Sequence, residues 1–328
     1  MIRVTLRPRC RFGLGLVAAV ALAALTAFGS PTGHAAPATG DPTGACPWSP
    51  HRVETIALFA GPLGRRAEAL VYLPPGYDCR PDRRYAVFYL QDGQDLFARD
   101  PRAADLPPAV ALELDRRDGW YGSWSLAARL DRAILEGRIP ATIVVGIASD
   151  TGPRAAELVP VAWRGAAEGR GEAYGAFLAG TLVPAIDTLY RTIPDRRCRG
   201  VGGASLGGVA ALQAGLAHRD VFGLVLALSP VLGDPAIADY VAHAWASAPA
   251  GAGPSTLLVD FDDDRIGDRD RRWLAAMAAT SGAEGLRTLM VRRPGTRHAI
   301  DSWSERAIPG LTRLLGARCR AGEAPTPP

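Results

Sequence analysis

The stretch Val201–Leu212, "VGGASLGGVAAL", decides how this chain is read. It sets one serine, Ser205, between Gly203 and Gly207 in the order Gly-Ala-Ser-Leu-Gly. That order fits the G-x-S-x-G pattern, in which a serine is held on a sharp turn between a strand and a helix. Only near-absent side chains on either side leave room for the strained backbone. The residues before it, "CRGVGGA" (198–204), form a β-rich run ending in glycines, and "LGGVAALQAGLA" begins a helical pattern at the next residue. Ser205 therefore falls at the junction. The following helix points its positive end at the serine, and the backbone N–H of Leu206 becomes available to a developing oxyanion.

A serine is a poor nucleophile near neutral pH without a base. His298 sits in "RRPGTRHAIDSW", just past the last predicted strand and before the final helix, where the order serine, acid, histidine places the base. His51 lies in the N-terminal linker region, His243 in a helical pattern, and His218 at a helix end. The acid is expected after the strand "STLLVDF", which runs into "DFDDDRIGDRD". Asp260 reads as part of that strand. Asp264, just beyond its end, is the preferred partner for Nδ1–H of His298, followed by Asp263 and Asp262. The spacing Asp260, Asp262, Asp264 begins like a calcium loop, but Arg265 and Arg271 stand where such a loop needs glycine and glutamate. No metal and no cofactor is expected. In "VFYLQDGQDLF", Gly93 permits a tight turn after a strand, and the N–H of Gln94 is the candidate second oxyanion donor.

Around this constellation, short apolar runs alternate with longer helical patterns. "ETIALFA" and "AEALVYLP" read as an opening antiparallel pair. Further strands are expected at 84–90, 141–148, 198–204, 222–229, 255–261 and 287–293. Between them, "SLAARLDRAILEG" and "EAYGAFLAGTLVPAIDTLY" place apolar residues on one helical face, with a kink expected at Pro184. Such alternation implies an α/β fold with a mostly parallel central sheet and helices on both faces. Active sites in such sheets gather at the carboxyl ends of the strands.

The chain has 328 residues and a formal charge of +4. Four of its arginines lie in "MIRVTLRPRCR", followed by an apolar run from Phe12 to Phe28 and a small-residue stretch. This reads as a secretory signal peptide over 1–36, cut after Ala35 or Ala36. The remainder holds 33 basic and 33 acidic residues. That balance favours neither nucleic acid nor a membrane surface as partner. The expected layout continues with a linker over 37–50, one catalytic domain over 51–317 and a disordered tail over 318–328. Four cysteines follow the leader: Cys46, Cys79, Cys198 and Cys319. In an exported chain they suggest two disulfides, with three pairings open. The expected location is secreted or periplasmic, and the oligomeric state is left open.

Together, "LVYLPPGYD" (70–78), "YLQDGQDLF", "GGASLGG", "VFGLVLALSP" and "PGTRHAIDSW" resemble the esterase D-like branch of the α/β-hydrolases. That branch includes siderophore, feruloyl and acetylxylan esterases, S-formylglutathione hydrolase and the mycolyltransferases. The resemblance implies Ser205 as nucleophile, His298 as base and Leu206 as oxyanion donor. It departs at "FDDDR", where the family often has a glycine three residues before the acid. "IVVGIASDTGPRAAELVP" (143–160) looks closest to the siderophore-hydrolase side, which makes Arg154 and Glu157 substrate-binding candidates. Arg164 is a further candidate for a basic rim, and Trp124 and Trp303 are candidates for stacking on aromatic rings. The expected activity is hydrolysis of a small-molecule or glycan ester, a siderophore trilactone first. A feruloyl or acetylxylan ester, acyl transfer, and a non-catalytic binding module are the alternatives.

Overall fold

The computed structural model describes residues 3–5, 49–97, 123–149, 154–164, 168–247, 255–262, 285–316 and 319. The strands are β1 (Arg3–Thr5), β2 (Arg52–Ala60), β3 (Arg65–Leu73), β4 (Ala86–Gln91), β5 (Thr142–Ile147), β6 (Arg199–Ala204), β7 (Leu224–Leu228), β8 (Ser255–Asp262) and β9 (Leu286–Arg293). Among the described residues they form a single sheet in the order β1-β2-β3-β5-β4-β6-β7-β8-β9. The β1, β2, β3 and β5 neighbours pair antiparallel, and every pairing from β5 through β9 is parallel. β1 lies within the expected leader. This is the mostly parallel α/β-hydrolase sheet anticipated from the sequence.

The near-continuous apolar strands are explained by burial on both faces. In β4, Val87 and Tyr89 enter one core while Ala86, Phe88 and Leu90 enter the other. β7 divides likewise, with Val225 and Ala227 opposed to Leu224, Leu226 and Leu228. The first core is covered by α3 (Gly171–Phe177), α4 (Val183–Leu189), α5 (Leu206–Ala217) and α6 (Pro235–Ala246). The second is covered by α1 (Leu126–Leu135) and α7 (Ile300–Leu315). A short α2 (Arg154–Leu158) follows β5 in the chain. Between α3 and α4 the chain makes a π turn, Leu178–Leu182, just ahead of Pro184. Proline has no N–H to give the preceding turn, and the wider turn absorbs that loss where a kink was expected.

Cys198, one residue before β6, is disulfide-bonded to Cys319, past the end of α7, across a separation of 121 residues. Cys79 is disulfide-bonded as well. Closing so long a loop removes much of the unfolded chain's freedom. Replacing both Cys198 and Cys319 with alanine is expected to cost about 2–5 kcal/mol of stability. Urea titrations of the oxidised wild type and the double variant would measure it, and coincident midpoints would refute it.

Candidate active site

β6 delivers Ser205 at its carboxyl end, and α5 starts at the next residue. The serine has φ 57° and ψ −121°, a conformation that costs an L-residue about 1–3 kcal/mol. Three main-chain hydrogen bonds hold it there. Its N–H donates to Leu228 O of β7 at 3.0 Å, and its carbonyl accepts from Gly208 and Val209 in the first turn of α5. The flanking glycines are demanded by close approach. A Cβ on Gly203 would stand 2.7 Å from the backbone of Gly207, and one on Gly207 would stand 2.9 Å from Cβ of Gln91. The N–H of Leu206, at the first position of α5, has no acceptor within its own helix.

His298 lies between β9 and α7, so the last strand and the last helix both fix it. Its Nε2 is 2.9 Å from Ser205 Oγ, and its Nδ1 is 2.9 Å from Oδ2 of Asp262. The ionised carboxylate can only accept, which assigns the proton to Nδ1 and leaves Nε2 to accept from the serine hydroxyl. Trp303, in the first turn of α7, sets its ring edge-to-face with the imidazole, centroids 4.9 Å apart.

The preferred acid, Asp264, lies outside the described residues, and the carboxylate that meets His298 belongs to Asp262. The difference comes from the length of β8. That strand pairs with β9 through Asp262↔Arg293, one residue past the expected end, so Asp262 is its last residue. Asp260, two positions earlier, faces the same side. Both carboxylates are buried, and both meet Arg306 of α7. Burial pushes the Asp260 carboxyl up to about 6, even with Arg306 beside it. Burial acts in the same direction on Asp262. Hydrogen bonds from His298 and Ser229 and the charge of Arg306 outweigh it there, and Asp262 is held below the usual carboxylate range.

Gln94 lies in a single 3-10 turn, Gly93–Asp95, at the end of β4. The first bond of that turn runs from Asp95 N–H to Asp92 O, so the N–H of Gln94 precedes any intra-turn acceptor. The turn is pinned from three sides. Gln94 Oε1 accepts from Ser149 N–H at 3.0 Å. Gly93 lies so close to β5 that a Cβ would stand 2.4 Å from Gly146. Asp92, at φ 58°, is gripped by Arg154 through Nε–Oδ1 and Nη2–Oδ2 contacts of 2.6 and 2.8 Å.

Arg154 therefore pairs with the loop that carries Gln94. Burial of the guanidinium is outweighed by the hydrogen bonds and charge of Asp92, which raise its pKa. Glu157 is buried and paired with Arg65 through Nε–Oε1 and Nη2–Oε2 contacts of 2.7 and 2.5 Å. Trp124 is packed in the second core with Leu126 and Leu130. Glu157 is thus held in a buried ion pair and Trp124 in the core. Trp303 contacts the imidazole, and the Arg164 guanidinium lies 4.7 Å from the Trp163 ring. Arg306 and Ser229 were missed from sequence. The available signal was a lone arginine on the apolar face of α7, among Ile300, Ala307, Ile308 and Leu311. A charge in that stripe requires a buried partner.

Residues 61–291 match the model of the Esterase family, described as "Putative esterase". The match includes Ser205 and Asp262 and ends before His298. Among solved structures, an IroE-like serine hydrolase from Shewanella oneidensis is 19% identical with TM-score 0.60, the alignment covering 80% of each chain. The enterobactin esterase of Shigella flexneri is 15% identical with TM-score 0.58, over 81% of this chain and 59% of its own. A ferulic acid esterase from Anaeromyces mucronatus is 16% identical with TM-score 0.54, over 81% of this chain and 92% of its own. At these identities the three share the fold. The family match spans most of the chain, and the chain belongs to the esterase family of α/β-hydrolases, as a carboxylic ester hydrolase.

Proposed function

We propose that the protein is an exported serine carboxylesterase acting through Ser205, His298 and Asp262. One observation carries the reading: a continuous line of hydrogen bonds, 2.9 Å at each step, from serine hydroxyl to imidazole to buried carboxylate. Ser205 Oγ attacks the ester carbonyl while His298 Nε2 takes its proton. The carbonyl oxygen becomes an oxyanion, stabilised by the N–H groups of Leu206 and Gln94 at about 3 kcal/mol each. The tetrahedral species collapses, the C–O bond to the alcohol breaks, and His298 returns the proton to the leaving oxygen. Water then attacks the acyl-enzyme by the same route, giving the acid and free Ser205. Asp262 holds the imidazole tautomer and balances the imidazolium.

Export is supported by the basic and apolar N-terminal pattern and by the disulfides. A siderophore trilactone is the first substrate class, from the likeness to the Shigella flexneri enterobactin esterase. The ferulic acid esterase neighbour favours a feruloyl ester as the second reading. The trilactone reading draws nothing from Arg154, whose charge Asp92 neutralises.

The test is a fluorophosphonate followed by peptide mass mapping, and then a panel of enterobactin-type trilactones, methyl ferulate, acetylated xylan and p-nitrophenyl acetate. The expected result is a single adduct on Ser205 and the highest kcat/KM on a trilactone. An unlabelled Ser205 with no hydrolysis of any ester would refute the serine esterase reading. A preference for methyl ferulate would replace the trilactone by the second substrate class.

A further inference from the structure

Asp262 presents Oδ2 to His298, and its other oxygen is held from behind. Oδ1 accepts from Arg306 Nη2 at 2.6 Å. The carboxylate therefore cannot turn without breaking one of two charge-assisted bonds. The same buried guanidinium is fixed in three further directions. Nη1 donates to Asp260 Oδ1 at 2.8 Å, Nη2 to Ser229 Oγ at 2.9 Å, and Nε to Ser302 O, one turn back in α7, at 3.0 Å. Asp260 Oδ1 also accepts from Ser229 N–H at 3.2 Å, and Arg293 Nε of β9 stands 3.8 Å from Oδ2. Arg306 thus joins α7, which follows the base, to β8, which carries the acid, and to Ser229, which follows β7.

The arrangement is costly as a stability device. A buried ion-pair cluster is often no better than well-packed apolar side chains of the same volume. The two aspartates are balanced by Arg306 and Arg293, and it is the Asp262 carboxylate that meets Nδ1 of His298, where positive charge develops when the serine proton moves. Preorganised charge of this kind favours the state in which the imidazole is protonated.

We propose that Arg306 is a positioning residue for ester hydrolysis: its guanidinium locks Asp262 in the orientation that meets His298, with Asp260 as the balancing charge. This rests on the role given to Ser205, His298 and Asp262 above. Arg306 acts through Asp262, so its effect disappears when Asp262 has already been disabled. Asp260 is faced by Arg306 from α7, Arg293 from β9, Asp262 on its own strand and the Ser229 amide. Removing its charge leaves the imidazolium with one counter-charge fewer.

The experiment compares kcat, KM and the pH profile of p-nitrophenyl acetate hydrolysis for wild type, R306M, R306K, D260N, D262N and the double variant R306M/D262N. Thermal melting of each variant reports folding. R306M should lower kcat about 10- to 100-fold, as for groups coupled by direct contact, with KM changed less than about twofold. R306K, which keeps the charge but not the fork, should recover part of the loss. R306M should add no further loss in the D262N background, and D260N should move the acid limb of kcat/KM to lower pH. Wild-type kcat in R306M, or full additivity with D262N, overturns the proposal. If R306M does not fold, wild-type kcat in R306K together with an unmoved acid limb in D260N overturns it. Wild-type activity in D262N would instead refute the underlying assignment of the acid.

Discussion

Alanine at position 205 is expected to lower kcat/KM for p-nitrophenyl acetate by about 10⁴- to 10⁶-fold, the range for loss of a nucleophile that works as a unit with its base. The fold should survive the change. Ser205 Oγ is bonded to His298, while the strained backbone is held by main-chain contacts to Leu228, Gly208 and Val209 that alanine keeps. Stability should therefore stay within about 1 kcal/mol of wild type. Paired kinetics and thermal melts of S205A measure both quantities. Hydrolysis at the wild-type rate by a folded S205A protein would exclude Ser205 as the nucleophile.

The second large effect separates two neighbouring aspartates. Asp262→Asn should cost about 10³- to 10⁴-fold in kcat, because an amide in that place no longer enforces the Nδ1–H tautomer or balances the imidazolium. Asp264→Asn should leave kcat within about threefold of wild type, as expected of a residue outside the proton path. Measuring the two variants side by side on one substrate gives the answer directly. A reversed pattern, with D264N inactive and D262N active, would mean that the hydrogen bond at 2.9 Å between Asp262 and His298 is not the functional one.

The strands were legible because strands buried on both faces are written as unbroken apolar runs, as in Ala86–Leu90 and Leu224–Leu228. Ser205 and its flanking glycines were legible because close backbone approach admits few residue types. His298 was found by its place after the last strand. The acid was not resolved, since six aspartates crowd Asp260–Asp270 and choosing among them requires knowing where β8 ends. That end is set by pairing with β9, a contact that local sequence does not record. The pairings of Arg154 and Glu157 were not legible for a related reason. Their partners, Asp92 and Arg65, lie 62 and 92 positions away, and only the fold brings them together.

The Cys198–Cys319 bond has a consequence for how the two ends of the site are braced. It clasps the foot of the strand leading to Ser205 to the far end of the helix that follows His298. Reducing it would remove the one covalent tie described between those two ends, leaving side-chain packing and the Arg306 cluster among the contacts that seat α7 on the sheet.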